Sequence, residues 1–277
     1  MWKLRKFALK ILEGEKMIKA LFFDIDGTLV STKTHLIPES TVEAIRQVRA
    51  DGIKVFISTG RPPALMDNIG QLQQLGLIDG YVTMNGSYCF IGDQVLYKVP
   101  IPEEEWKAMG KFCKEGGYSC TFIGVDCAYA YQADDKLENI FYKELNARHM
   151  EPIDWQDIDF EVMQMSPFIT LETENQIRGK LKGCEFGRWH PGFVDINVAG
   201  CTKQEGIEVI MKHLGLEKEE IMTFGDGGND ISMLKMAGTG VAMGNASDTV
   251  KAAADYVTSH VDENGIANAL RHFGLLR

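Results

Sequence analysis

The sequence lacks the features that mark membrane, secreted and zinc-finger proteins. None of its apolar runs approaches the ~18 residues of a membrane-spanning helix. Residues 1–16 are basic and lack the uninterrupted apolar stretch and cleavage site of a secretory signal. No two of the six cysteines form a C-x-x-C pair, so the common zinc-binding spacings are absent. We therefore expect a cytoplasmic protein with reduced cysteines and no membrane partner.

Basic residues are also too few for a nucleic-acid-binding protein. The 29 Lys and Arg stand against 39 Asp and Glu, which gives a net charge of −10. Affinity for a phosphate backbone needs a basic surface, so we expect no nucleic-acid partner. A chain of 277 residues with 45% hydrophobic residues can bury one large or two modest cores. We expect a monomer or a weak homodimer.

Short apolar segments alternate with helical patterns in two separate parts of the chain. Each predicted strand is almost entirely apolar, which is typical of a parallel sheet covered by helices on both faces. The pattern predicts an α/β fold with a Rossmann-like core built from residues 17–85 and 197–277. The strands expected in that core are 18–23, 53–57, 81–84, 221–224, 240–243 and 256–258.

The middle of the chain follows a different pattern. Residues 88–98 alternate around Gly92 and Asp93, which predicts a hairpin. Further strands and helices follow without the regular alternation of the core. This pattern predicts an inserted α+β cap domain over residues 86–196. Residues 1–16 form an N-terminal extension, either a weak amphipathic anchor or a docked terminal helix, and Met17 is an alternative start.

Polar segments follow four of the predicted core strands. Because the carboxyl ends of parallel strands meet at one edge of a sheet, we expect these distant segments to converge on one site. The segments are Asp24 to Thr28, Ser58 to Arg61, Asn85 with Gly86, and Gly225 to Asp230.

Asp24 and Asp26 are the first pair of candidate functional residues. Two carboxylates at positions i and i+2 can face one site where a strand unwinds into a loop, and they repel each other unless a cation neutralises them. Mg²⁺ prefers such oxygen ligands. An EF-hand loop is excluded, because Leu29 stands where that loop needs Gly and His35 where it needs Glu. A simple Asp/Gly turn with a helix cap remains the alternative for this pair alone.

The segment Gly225 to Asp230 is the second acidic loop. It fails the dinucleotide-binding pattern G-x-G-x-x-G, because Asp230 occupies the third Gly position. With Asp226 at the same edge as Asp24, it predicts a metal site. Thr59 and Lys203 add a hydroxyl and an ammonium that can bind phosphoryl oxygens. A lysine in the first turn of a helix opposes the helix dipole unless it has an anionic partner.

These residues resemble the four motifs of the haloacid-dehalogenase superfamily of phosphatases, in the family's order. The position of the insert, between Thr59 and Lys203, resembles the subclass IIB cap, of type C2B. Longer stretches resemble the Cof-type branch and its hexose-phosphate phosphatases, and the resemblance covers residues 17–277. Those stretches are Thr59 to Pro62, Met84 to Gly86, Thr202 to Ile207 and Gly225 to Leu234.

The resemblance implies a role for each motif residue. Asp24 is the nucleophile and Asp26 the general acid and base. Mg²⁺ is implied as the cofactor, with a metal site made of Asp24, the Asp26 backbone carbonyl, Asp226 and Asp230. The residues implied in phosphate or substrate binding are Thr59, Gly60, Arg61, Asn85, Lys203 and Asn229.

The expected function is that of a phosphoric monoester hydrolase. We expect Mg²⁺-dependent hydrolysis of small phosphorylated metabolites, above all sugar phosphates, through an aspartyl-phosphate. Two alternatives remain open at this stage. A phosphosugar mutase would use an alcohol in place of water in the second step. A non-catalytic metabolite sensor on the same fold is disfavoured by the intact Asp24 and Asp26.

Overall fold

The computed structural model describes residues 17–144 and 147–276, so the predicted N-terminal extension lies outside the described residues. The strands in chain order are β1 (Ala20–Phe23), β2 (Lys54–Ser58), β3 (Gly80–Thr83), β4 (Tyr88–Ile91), β5 (Gln94–Lys98), β6 (Cys120–Ile123), β7 (Ala128–Tyr131), β8 (Glu151–Pro152), β9 (Gln164–Pro167), β10 (Cys184–His190), β11 (Phe193–Val198), β12 (Ile221–Gly225), β13 (Thr239–Ala242) and β14 (Tyr256–Val257). The helices are α1 (Glu39–Ala50), α2 (Gly70–Gln74), α3 (Glu103–Gly116), α4 (Asp135–Leu137, continued by a π-helical segment Glu138–Glu144), α5 (Leu171–Arg178), α6 (Lys203–Leu214), α7 (Ile231–Met236), α8 (Asp248–Lys251) and α9 (Gly265–His272).

The first sheet has eight strands in the order β14-β13-β12-β1-β2-β3-β4-β5. The six strands from β14 to β3 are parallel, and β1 lies between β12 and β2. All four residues of β1 are buried. The prediction of an α/β fold with a parallel, doubly covered sheet is confirmed.

The two faces of the first sheet bury different side chains of the same strands. Phe22 stacks on Phe56, with ring centroids 4.8 Å apart, on the face that packs against Ile207 of α6. Phe23 stacks on Phe224 at 4.6 Å on the opposite face. Burying one such side chain contributes about 1.5–3 kcal/mol to the free energy of unfolding. Because the central strands are buried on both faces, the loops that follow them start from fixed positions.

The hairpin β4–β5 is confirmed, and it lies in the first sheet. β4 pairs antiparallel with β3, where Thr83 is opposite Tyr88. The chain reverses direction between them within four residues, and three of these, Met84, Asn85 and Gly86, have positive φ. A turn this short leaves no room for a crossover helix, so the returning strand is antiparallel. We therefore propose that the inserted unit begins after Lys98 rather than at residue 86.

The second sheet has six strands in the order β10-β11-β9-β6-β7-β8. Its neighbours are antiparallel apart from β7 and β8. One face packs against helices α3 and α5, where Trp106 and Ile177 meet Phe122 and Met165. The other face packs partly against α4 and its continuation, where Leu137 and Phe141 meet Phe193, and partly against the first-sheet region through Ile123. The predicted α+β character of the insert is confirmed.

The second sheet covers the edge of the first sheet at which the polar loops gather. Ile123 and Met163 from the second-sheet region form one buried cluster with Leu65, Met84 and Tyr88. This apolar contact places the inserted unit directly over the carboxyl ends of the core strands.

Two predicted helices have a different form in the structure. The stretch predicted as one helix up to Leu75 is two 3-10 turns, Pro63–Leu65 and Asp67–Ile69, followed by the short helix α2. The N–H groups of Leu65 and Ile69 donate to the carbonyls of Pro62 and Met66, and bonds that span three residues in this way define 3-10 turns rather than an α-helix. Helix α7 is likewise preceded by a 3-10 turn, Gly228–Asp230. Within the described ranges, none of the helices is long and apolar enough to cross a membrane.

Candidate active site

The four polar segments predicted to converge lie at one edge of the first sheet. Asp24 follows β1, Thr59 follows β2, Asn85 follows β3 and Asp226 follows β12. β12, β1, β2 and β3 are consecutive neighbours in the sheet. The backbone N–H of Asp24 donates to the carbonyl of Phe224, and that of Thr59 to the carbonyl of Val82. Ladder hydrogen bonds therefore fix where each loop begins.

Lys203 is the cation of the site. It is the first residue of α6, whose N-terminus has a capping box in which the Thr202 N–H donates to the Glu205 carboxylate. The Lys203 side chain is fully buried. Its Nζ donates to Asp24 Oδ1 at 2.6 Å and to Asp230 Oδ1 at 2.6 Å. These two carboxylates are the anionic partners that a lysine at this end of a helix requires.

Negative charge exceeds positive charge around Lys203. Burial lowers the pKa of Lys203, but the carboxylates of Asp230 and Asp24 outweigh that effect and raise it above the ordinary value. Burial raises the pKa of Asp24 well above its usual range, with Lys203 acting in the opposite direction. Burial and the charge of Asp230 raise the pKa of Asp226 to about 7. One ammonium is therefore insufficient for three carboxylates held this closely.

Asp230 organises the loop between β12 and α7. It is fully buried, and its Oδ2 accepts hydrogen bonds from the N–H groups of Asp226 at 2.9 Å and Gly227 at 2.8 Å. Its Oδ1 accepts from Lys203. Both oxygens are thus engaged with the protein, which holds Asp226 in place.

Two side chains position the carboxylate of Asp226. Thr28 donates its hydroxyl to Asp226 Oδ1 at 3.1 Å, and Asn245 donates to Asp226 Oδ2 at 3.1 Å. Asn245 also donates to the carbonyl of Gly27 at 2.9 Å. Gly27 has a φ of +83°, and a Cβ there would lie 2.2 Å from Asp226 Oδ2. Gly27 is therefore required for the two acidic loops to approach each other.

Asp26 lies on the exposed side of the site. Its carboxylate accepts from Arg61 Nε at 2.6 Å and from Arg61 Nη2 at 2.9 Å, a two-point ion pair. Asn68 Nδ2 donates to the same carboxylate at 3.2 Å. Arg61 in turn donates to the carbonyl of Leu65 at 3.0 Å. The planar guanidinium fixes the orientation of Asp26 more rigidly than a lysine could.

Thr59 and Asn85 form the wall between β2 and β3. The Thr59 hydroxyl accepts from the Arg61 N–H at 3.1 Å, and the Asn85 N–H donates to the Thr59 carbonyl at 3.1 Å. A Cβ on residue 60 would lie 3.2 Å from Asn85 Oδ1, so any residue larger than Gly60 would crowd the Asn85 amide.

Three asparagines connect this wall to the neighbouring loop and to the second sheet. Asn229 Nδ2 donates to Asn85 Oδ1 at 3.0 Å, and Asn85 Nδ2 donates to Asn197 Oδ1 at 3.3 Å. Asn197 belongs to β11 of the second sheet. We call these three residues the amide bridge.

The donor set fits a divalent cation. Single oxygens of Asp24, Asp226 and Asp230 lie within 4.8 Å of one another, as suits carboxylates around one metal ion. Oxygen ligands and an excess of negative charge are what Mg²⁺ selects. The side chain of Asp26 is not part of this group and is held by Arg61 instead.

A cavity of about 220 Å³ adjoins Asp26. The first-sheet region supplies most of its lining, and Ala147 and Arg148 come from the inserted unit. Its lining residues are Asp26, Val30, His35, Arg61, Leu65, Asp67, Asn68, Ala147 and Arg148. A molecule placed here would lie against Asp26 and between the two sheets.

Every predicted site residue lies at this edge, but sequence reasoning missed the residues that position them. Asn68, Asn197 and Asn245 were not identified, although each makes a hydrogen bond to a predicted residue. Lone asparagines carry no spacing signal, since they also occur as caps and turn residues. Asn245 follows Gly244 at the end of β13, and its place at a strand's carboxyl end was the one available hint.

Comparison with known proteins agrees with this geometry. The family model described as haloacid dehalogenase-like hydrolase matches residues 21–270. The chain is 36% identical to the putative phosphatase YkrA of Bacillus subtilis, over 94% of this chain and 99% of that protein. It is 31% identical to the Bacillus subtilis 5-amino-6-(5-phospho-D-ribitylamino)uracil phosphatase YcsE, over 93% and 96% of the two chains.

A solved structure gives the same result. The chain resembles the structure of BT4131, described as a HAD subclass IIB sugar phosphatase, with a TM-score of 0.87. The two share 51% sequence identity over 93% of this chain and 100% of that chain.

Proposed function

The chain belongs to the haloacid dehalogenase-like hydrolases, and from that premise we propose that it is a Mg²⁺-dependent phosphatase for sugar phosphates and similar metabolites. As a member of this family it is a phosphoric monoester hydrolase. The observation that supports the finer proposal is the buried group of Asp24, Asp226 and Asp230 around Lys203. This group presents the Asp24 carboxylate as a nucleophile beside the Lys203 ammonium. The negative charge that Lys203 does not neutralise requires a second cation.

In the proposed first step, a carboxylate oxygen of Asp24 attacks phosphorus. The bond from phosphorus to the ester oxygen breaks, and the departing oxygen takes a proton from the Asp26 carboxyl. Lys203 and Thr59 hold phosphoryl oxygens: the Lys203 ammonium already contacts Asp24, and the Thr59 hydroxyl accepts from Arg61 and keeps its own hydrogen to donate. The products are an alcohol and an aspartyl-phosphate on Asp24.

In the second step, water attacks the phosphorus of the aspartyl-phosphate. The ionised Asp26 takes the proton of that water, the bond to the Asp24 oxygen breaks, and inorganic phosphate leaves. Asp26 must exchange one of its hydrogen bonds from Arg61 or Asn68 to transfer protons. Arg61 and Asn68 therefore position the general acid and base.

Asp24 and Asp226 would hold the Mg²⁺ ion together with the backbone carbonyl of Asp26. Bound there, the ion supplies positive charge that neutralises the phosphoryl group. We assign Asp230 the role of positioning Asp226 and Lys203, because both of its oxygens already accept hydrogen bonds from the protein.

The proposed substrate class rests on the second sheet and on similar proteins. The inserted unit packs over the catalytic edge, so it can exclude water and contact the alcohol part of an ester. BT4131 is described as a sugar phosphatase, and YcsE acts on a phosphorylated ribityl compound. A leaving group rich in hydroxyls is common to both.

We also propose a cytoplasmic location. All six cysteines are free, and five of them are buried. Burial raises the pKa of thiols such as Cys89, to about 12, so they remain protonated and unreactive.

The test is phosphate release from a panel of phosphate esters after dialysis against EDTA, with and without added Mg²⁺. We expect no turnover without metal, full recovery with Mg²⁺, and the highest kcat/KM for sugar phosphates. Turnover that persists in EDTA would contradict the metal dependence. Equal kcat/KM for all esters would contradict the substrate class while leaving the chemistry intact.

A further inference from the structure

Three buried polar atoms on the strands of the second sheet lack a hydrogen-bond partner among the described residues. One is the Thr121 hydroxyl on β6. The other two are an acceptor and a donor on neighbouring strands, Oε1 of Gln164 on β9 and Nδ2 of Asn197 on β11. The two residues are only 4% and 6% exposed. Leaving a buried donor or acceptor unpaired costs stability, so such atoms in a native protein require an explanation.

The two side chains are neighbours on one face of the sheet. Gln164 and Asn197 are directly opposite each other in the antiparallel pair of β9 and β11. Gln164 is also opposite Ile123 of β6, so all three point to the same side. Ile123 packs against Leu65 and Met84 of the first-sheet region. The unpaired donor and the unpaired acceptor therefore both face the catalytic edge.

The amide bridge ties this pair to the catalytic loops. Asn197 uses its Oδ1 to accept from Asn85, and Asn85 accepts from Asn229 in the loop that also carries Asp226 and Asp230. The phosphoryl group is proposed to sit between Asp24, Thr59 and Lys203. The alcohol part of the ester must then project from that point toward the second sheet.

We propose that Gln164 and Asn197 form a hydroxyl-binding pair that recognises the neutral, polyhydroxylated leaving group of the substrate. A hydroxyl both accepts and donates. Its oxygen accepts from Asn197 Nδ2, and its hydrogen is donated to Gln164 Oε1, so one hydroxyl satisfies both atoms. A carboxylate or a second phosphate dianion offers only acceptors and leaves Gln164 Oε1 unpaired. This inference rests on the proposed phosphatase function and narrows its substrate class.

The adjacent row of the same face shows the contrast. There, Ser166 donates its hydroxyl to Asp195 Oδ1 at 2.7 Å, so that pair is satisfied within the protein, while the hydroxyl of Thr121, opposite Ser166, is a lone unpartnered group without a complementary neighbour of the Gln164 and Asn197 kind. The Gln164 and Asn197 atoms are covered by the first-sheet region, and a ligand reaches them only if the two sheets separate and close again. The 3.3 Å contact between Asn85 and Asn197 lies at this boundary.

The experiment compares kcat/KM for a hexose phosphate and its monodeoxy analogues. In the wild-type enzyme, we expect one analogue to be hydrolysed with kcat/KM reduced by about 10- to 100-fold, because it leaves both amides unpaired. In Gln164→Met and in Asn197→Leu, which keep the side-chain size, that discrimination should fall to about twofold or less. Ser166→Ala is the matched control on the same face and should retain it. Turnover of p-nitrophenyl phosphate should be unchanged in Gln164→Met and in Ser166→Ala. Asn197→Leu also removes the acceptor of Asn85, so its discrimination is judged as a ratio of kcat/KM values within that variant.

Several results would decide against the pair. Undiminished discrimination in both variants overturns the inference, as does an equal loss toward every ester, including p-nitrophenyl phosphate. If Asn197→Leu does not fold, Gln164→Met alone decides, since Gln164 is not part of the amide bridge to the catalytic loops. If the wild-type enzyme hydrolyses p-nitrophenyl phosphate but no sugar phosphate, this inference fails and the chemistry stands. If it hydrolyses no ester, the proposed function fails as well.

Discussion

Two buried charged clusters, one in each sheet region, resolve their excess charge differently. In the second-sheet region, the fully buried Glu174 accepts from Arg178 and from Arg188 Nε, the latter at 2.7 Å. The remaining N–H groups of Arg188 donate to backbone carbonyls. Those carbonyls belong to Ile169, His190, Pro191 and Phe193. In the first-sheet region, Lys203 faces three carboxylates, and the pKa of Asp226 is raised to about 7.

The difference separates a structural cluster from a ligand site. The excess positive charge near Glu174 is satisfied by carbonyl dipoles inside the protein, so no further ion is needed there. The excess negative charge near Lys203 is only partly offset by the N–H groups on Asp230 and by the Thr28 and Asn245 donors on Asp226, since the pKa of Asp226 is still raised to about 7. The remaining charge is available to bind a cation and stabilise a transition state. Buried charge alone therefore does not identify an active site; uncompensated charge does.

Asp24→Asn is expected to have the largest effect, and it tests whether the cluster around Lys203 is the catalytic one. The variant keeps the shape of the side chain but removes the nucleophile, so turnover of every ester should fall by at least about 10³-fold. Its thermal stability without metal should not fall, because one of three crowded carboxylates becomes neutral and Lys203 keeps Asp230. Steady-state kinetics and calorimetry measure the two quantities. Residual turnover near the wild-type rate would rule out Asp24 as the nucleophile.

Asp26→Asn should give the next largest effect. This change removes proton transfer, a contribution of roughly 10²–10⁴ in rate, and leaves Asp24 in place. With p-nitrophenyl phosphate, whose leaving group needs little protonation, the variant should form the aspartyl-phosphate and then stall. Mass spectrometry of quenched protein should find phosphate on Asp24. A phosphate mapped to another residue would contradict both assignments.

Glu174→Gln is the matched change in the structural cluster. Two arginines lose their buried counter-ion, so the free energy of unfolding should decrease by about 3 kcal/mol. The rate with p-nitrophenyl phosphate at 25 °C, per folded enzyme, should stay at the wild-type value. Urea unfolding and kinetics on the same sample test this. A rate loss as large as that of Asp26→Asn, in protein still folded, would show that the two clusters are not independent.

The smallest expected effect is a pH dependence that distinguishes the clusters. The folded-state pKa of Asp226, about 7, lies above its ordinary value of 3.8. Its carboxyl therefore contributes stability that is present below pH 3.8 and is lost as the pH rises through about 7. Without metal, Asp226→Asn should be increasingly more stable than the wild type between pH 5 and pH 8.

Added Mg²⁺ should reverse that trend in the wild type only. The ion binds the ionised carboxylate, so its stabilisation should grow with pH and be much weaker in Asp226→Asn. Melting temperatures at several pH values provide the measurement. A Mg²⁺ effect of the same size in both proteins would place the ion elsewhere.

The local residue pattern predicted most of the fold and the motif residues. Fully apolar strands followed by Asp24, Thr59, Asn85 and Asp226 predict a parallel sheet whose polar loops meet at one edge, and the structure places them there. The hairpin at 88–98 was also predicted, but its sheet was not. Strand alternation shows that two strands pair with each other and does not show which third strand they join.

What the sequence by itself determined is the chemistry available: a nucleophile, carboxylates for a cation, and Lys203 at a helix start that demands anionic partners. Only the tertiary structure decided how these groups are held. Three hydrogen bonds that hold site residues join positions far apart in the sequence. They run from Asn245 to Asp226, from Arg61 to Asp26 and from Asn85 to Asn197, across 19, 35 and 112 residues. Hydrogen bonds between such distant residues depend on how the loops and the two sheets pack, and no local periodicity encodes that packing.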